Sequence, residues 1–155
     1  MQGTGQANLR PRILIVDDHP QIVRILWDAL GRAGFDLRAV PTTGTRAVVQ
    51  ARTFRPGLVC MGLTKLDGAF AQRLNHLREA GNLERTPFVL LRRDSAPDAG
   101  QTAQAVRAED RERFVDSRTR VLTSPFSPRY LLEEIRSLLA IRPAAESIES
   151  HSRFG

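Results

Sequence analysis

Apolar positions along the chain alternate between short continuous runs and helix-spaced stripes. Ile13-Leu14-Ile15-Val16 is a run of the first kind, the pattern of a strand buried on both faces. It ends at Asp17-Asp18-His19-Pro20, a turn and helix-start signal. Ile22, Leu26, Leu30 and Ala33 then recur at helical spacing, and Gly34 predicts the stop. Leu37 to Val40 reads as a second strand closed by Pro41. Ala47, Ala51 and Phe54 mark a second helix that Pro56 terminates. Leu58 to Met61 predicts a third strand, with a loop from Gly62 to Gly68. Phe70, Leu74 and Leu77 share one face of a third helix ending near Gly81. Phe88 to Leu91 predicts a fourth strand and Val121-Leu122 the centre of a short fifth. Ser127 is placed to cap a last helix, with Pro128 at its first position and Leu131, Ile135, Leu138 and Leu139 as its stripe.

Strand and helix alternating in this way predict an α/β fold, a doubly wound parallel sheet with helices on both faces. In such sheets ligands bind beyond the carboxyl ends of the strands. Asp17, Asp18, Gly62, Arg92 and Ser124 stand at those ends and are the residues to inspect.

A length of 155 residues suits one domain, here 11–142, between tails at 1–10 and 143–155. A domain of that size buries about 70% of its unfolded-chain surface, enough for a core. No apolar run approaches the roughly 20 residues of a membrane span. Met1 to Arg12 carries no secretory pattern, and one cysteine, Cys60, cannot staple the fold internally, so a cytoplasmic location is expected. The formal net charge is +6, and of the 23 basic residues only Lys65 is a lysine. The arginines are scattered, and no aromatic residues interleave with them as a stacking platform. A solvated surface is therefore expected, and a basic nucleic-acid-binding module is the alternative of another class.

Five segments, taken together, carry a resemblance: Ile13 to Pro20, Arg55-Pro56-Gly57-Leu58-Val59, Leu66-Asp67-Gly68, Pro87 to Leu91, and Leu122-Thr123-Ser124-Pro125-Phe126-Ser127-Pro128. Over about residues 11 to 140 the chain resembles a bacterial response-regulator receiver domain of two-component signalling. The resemblance implies a flavodoxin-like fold with strand order 2-1-3-4-5. It also implies phosphoryl transfer from a histidine kinase to an aspartate after the third strand. In that chemistry an acidic pair holds Mg²⁺, and a Thr or Ser and a Lys bind the phosphoryl oxygens.

The acidic pair is matched by Asp17 and Asp18; the other parts are not matched. The phosphoacceptor position falls on Gly62, with Cys60 a rival because the following loop is about two residues short. The hydroxyl position falls on Arg92, or Arg93 with a one-residue slip. The lysine position falls on Ser124, and the aromatic position that reports phosphorylation falls on Val121. Asp67 is the nearest carboxylate that could serve as a fallback acceptor. With no third carboxylate, Mg²⁺ binding is expected to be weak or absent, and no cofactor is expected. Arg92 or Lys65 could instead place a cation against the acidic pair, the competing reading being an Arg92 directed to solvent.

These departures imply a non-enzymatic pseudo-receiver acting by phosphorylation-independent protein–protein interaction. The expected partner is a histidine kinase or another response regulator, with a homodimer a further option and no membrane contact. The stretch from Arg92 to Ser124 is about ten residues longer than the family's. It includes Glu109 to Arg113, read as a solvated helix face. The working surface is accordingly expected at Asp94 to Arg120 with the last helix. The alternative is a phosphorylatable receiver using Asp67.

Overall fold

The computed structural model describes residues 10–42, 44–63, 68–92 and 117–140. Lys65, Asp67, Arg93, Glu109 to Arg113 and most of both tails and of the Asp94 to Arg120 segment lie outside those residues. In chain order the elements are β1 (Arg12–Val16), α1 (Pro20–Arg32), β2 (Asp36–Val40), α2 (Arg46–Phe54), β3 (Leu58–Leu63), α3 (Gly68–Ala80), β4 (Phe88–Arg92), β5 (Thr119–Thr123) and α4 (128–140). The strands form one five-stranded sheet in the order β2-β1-β3-β4-β5, and every neighbouring pair is parallel. This is the predicted order.

The continuous apolar runs have a simple cause: the central strands are covered on both faces. Leu14, Val16, Val59, Met61, Phe88 and Leu90 pack on one face against Ala47 and Ala51 of α2 and Phe70, Leu74 and Leu77 of α3. Their alternating neighbours Ile13, Ile15, Leu58, Cys60, Val89 and Leu91 pack on the other. There they meet Leu26 and Leu30 of α1 and Leu131, Ile135 and Leu138 of α4.

Helix ends follow local chemistry. Gly34 leaves α1 in a left-handed conformation, φ 95°, which a glycine adopts without a Cβ clash. Ser127 caps α4, its Oγ accepting a hydrogen bond from Tyr130 N at 3.0 Å. α1 starts where the Asp17 to Pro20 signal predicts, with Pro20 at its first turn and His19 as an N-cap that makes no side-chain cap bond. The third strand is longer than its apolar run. Gly62 and Leu63 pair with Leu91 and Arg92 of β4, so Gly62 belongs to the sheet and not to the loop expected there.

Candidate functional site

The register brings the inspected residues to one edge of the sheet. Val16 lies opposite Met61, so the next residues along, Asp17 and Gly62, are neighbours. Gly62 lies opposite Leu91, and Arg92 opposite Thr123. Ser124 follows directly and donates its N–H to the Arg92 carbonyl at 2.8 Å. Asp17, Gly62, Arg92 and Ser124 thus come from the ends of β1, β3, β4 and β5.

Asp17 is held on both sides of its backbone. Its N–H donates to Val40 O at 3.0 Å, which extends the β1–β2 pairing by one residue. Its Oδ1 accepts from His19 N at 2.9 Å, an Asx-type turn that leads into α1. This places the carboxyl over Gly62. An ideal Cβ built on Gly62 would sit 2.5 Å from Asp17 Cγ and 3.0 Å from Oδ1, with Oδ2 closer still. Real Cβ atoms do not approach that closely. The space in which a side chain at position 62 would begin is therefore filled by Asp17.

Asp18 is exposed and faces the loop after β2. Its Oδ1 accepts from Thr42 N at 2.8 Å and its Oδ2 from Thr42 Oγ1. Thr42 is a partner that the sequence reading missed. It lies 24 residues away, and its only signal is a position just beyond the end of β2, the strand beside β1.

Asp17 and Arg92 are both buried, at 6% and 7% exposure, and are two of the few buried charged residues. Arg92 is directed into the protein and not to solvent. Val121 is partly buried and packs against the α2/α3 side of the core. Ser124 is partly buried and precedes a cis peptide bond to Pro125.

Cys60, the rival to Gly62, lies on the α1/α4 face and has no exposure. Burial first, and the Asp17 carboxylate second, push its thiol up to about 12. A protonated, inaccessible thiol is neither a nucleophile nor a metal ligand at neutral pH.

These donors do not fit the Mg²⁺ site that the resemblance implies. Both Asp18 oxygens are engaged by Thr42, Asp17 is folded over Gly62, and position 62 supplies no carboxylate. Among the described residues no group of three or more His, Cys, Asp or Glu side chains is arranged to hold a metal ion. No helix among them is long and apolar enough to cross a membrane.

No family model and no curated protein matches the sequence. Similar solved structures do exist. A signal receiver domain from Vibrio parahaemolyticus has a TM-score of 0.66 and 18% identity, covering 91% of this chain and 98% of its own. A response-regulator receiver domain from Bermanella marisrubri has a TM-score of 0.60 and 25% identity, covering 84% of this chain and 98% of its own. The receiver domain of a signal transduction histidine kinase from Syntrophus aciditrophicus has a TM-score of 0.58 and 23% identity, covering 84% and 90%. Sheet order, parallel pairing and these likenesses agree: the chain has the fold of a response-regulator receiver domain.

Proposed function

We propose that this receiver fold works in two-component signalling as a pseudo-receiver, through protein–protein contacts that need no phosphoryl group. One observation carries the reading. The position corresponding to the acceptor is Gly62, and the space above it holds the Asp17 carboxyl. A nucleophile is missing there and so is room for one.

The rest of the edge supports the same reading. Phosphoryl transfer to a carboxylate relies on cations that neutralise the incoming charge. Here the hydroxyl and lysine positions carry Arg92 and Ser124, and the aromatic position carries Val121, which has no ring to switch. Arg92 is buried on the far side of Gly62 from Asp17. In this reading its charge offsets Asp17 across the end of the sheet and not as a contact ion pair, because strand alternation puts Arg92 on the α2/α3 face with Leu90. The partner is a signalling protein such as a histidine kinase or another regulator.

The test is the intact mass of the protein after incubation with acetyl phosphate and Mg²⁺. An unchanged mass is expected. A base-labile phosphoryl adduct mapping to Asp67 would overturn the proposal and make the chain a phosphorylatable receiver with an unusual acceptor.

A further inference from the structure

At the opposite, amino-terminal edge of the sheet the charge pattern breaks the packing rule that builds the rest of the domain. Side chains of Leu14 and Val16 in β1 and Val40 in β2 face α2 and belong to that side of the core. By strand alternation Arg12, Asp36 and Arg38 point to the same face, Arg12 opposite Asp36 and Leu14 opposite Arg38. Packing alone calls for apolar residues here, against the last turn of α2. The chain instead places two guanidinium groups over one ring. Arg38 lies 5.0 Å and Arg12 5.9 Å from the centroid of Phe54. Arg12 is fixed further by donating from Nη1 to the Phe54 carbonyl at 3.1 Å, at the carboxyl end of α2.

Beside this pair is a cavity of about 460 Å³, lined by Arg10, Arg12, Asp36, Arg38, Gln50 and Thr53 over the Phe54 ring. That volume is in the range of small-molecule sites. Three cations face one carboxylate, and no ion pair ties any of the four to another described residue. Two arginines stacked on the same ring repel each other, and an anion between them removes that cost. Planar guanidinium groups held in fixed directions are suited to phosphoryl oxygens, which they bind two at a time. The cavity opens at the start of β1 and Asp17 follows its end, so the two sites are separated by a strand length of roughly 16 Å.

We propose that this cavity binds a small phosphorylated ligand, its phosphoryl oxygens held by Arg10, Arg12 and Arg38. Asp36 opposes the ligand and limits its affinity. The site is independent of the acidic edge and of whether the domain accepts a phosphoryl group.

The test uses inorganic pyrophosphate as the probe in isothermal titration calorimetry. Saturable binding is expected, weakened about tenfold or more by Arg38→Ala or Arg10→Ala, each of which removes a charge-assisted contact. Asp36→Asn is expected to tighten it, and Arg136→Ala, on α4, to leave it unchanged. Arg10 and Arg38 are exposed, so their variants keep the fold; Asp36→Asn gives a readout of opposite sign in any case. Absence of saturable binding, an equal loss in Arg136→Ala, or equal binding of sulfate would overturn the proposal. So would random-sequence duplex DNA that binds more tightly than pyrophosphate and loses affinity in the same variants, since the surface would then read a nucleic-acid backbone.

Discussion

The carboxyl group of Asp17 occupies the space from which a side chain at position 62 would grow. β1 and β3 are hydrogen-bonded neighbours, and their register sets Asp17 beside Gly62. Either residue can carry a group at this point, but not both in the observed arrangement. The glycine is therefore a packing requirement of Asp17.

Gly62→Ala is accordingly expected to destabilise the domain by about 1–3 kcal/mol, the usual cost of forcing extra atoms into a packed site. Asp17→Ala in the same chain should recover part of that loss, because it vacates the space. Denaturant unfolding of the two single variants and the double variant measures the coupling. Additive losses would show that the carboxyl moves aside freely and does not compete with position 62.

Arg92 supplies the second test of the acidic edge. If it balances Asp17, Asp17→Asn strands a buried guanidinium and costs about 3–5 kcal/mol. Replacing both, as in Asp17→Asn with Arg92→Met, should return much of the stability. A loss under about 1 kcal/mol in Asp17→Asn would place the compensating charge elsewhere, since an exposed pair is worth no more than that.

Asp18 makes two bonds to one residue, and they can be separated. Thr42→Val removes the hydroxyl donor and keeps the backbone N–H, so it should cost about 1 kcal/mol. It also takes the hydroxyl donor away from one Asp18 oxygen. A Mn²⁺ or Mg²⁺ titration followed by calorimetry should then show tighter binding in Thr42→Val than in the parent chain. Equal metal affinity in the two proteins would mean that Thr42 does not hold Asp18 away from a cation.

The strands themselves were legible because the central ones are buried on both faces and read as unbroken apolar runs, whereas their order was implied only by the family resemblance. Gly62 and Leu63 escaped that signal: a glycine interrupts the run, and only their pairing with Leu91 and Arg92 puts them in β3. Asp17 and Asp18 were legible as an acidic pair at a strand end, but not their bonds. Thr42 reaches Asp18 across the sheet edge, and Asp17 turns back to His19 N instead of capping a helix. The grouping of the arginines was not legible either. Scattered along the chain, they read as solvated surface, and Arg10 and Arg38 are indeed exposed, but only the parallel register of β1 with β2 and the end of α2 shows that Arg10, Arg12 and Arg38 line one cavity.

Cys60 gives the domain a pH dependence whose sign follows from its burial. The thiol has an ordinary value of 9.0 and is pushed up to about 12 in the folded protein. Between these values the unfolded chain has lost the proton and the folded chain keeps it. Unfolding then releases a proton, so the Cys60 contribution is constant below about pH 9 and stability falls through this group as the pH rises from there towards 12. The slope is up to about 1.4 kcal/mol per pH unit from this one group. Cys60→Ala should flatten that part of the stability curve, although it lowers stability at every pH through the cavity it leaves. The same burial predicts that a thiol reagent at pH 8 labels the native protein only at the rate of unfolding, and the denatured protein at once. Rapid labelling under native conditions would show that the α1/α4 face opens locally and that Cys60 is accessible to chemistry after all.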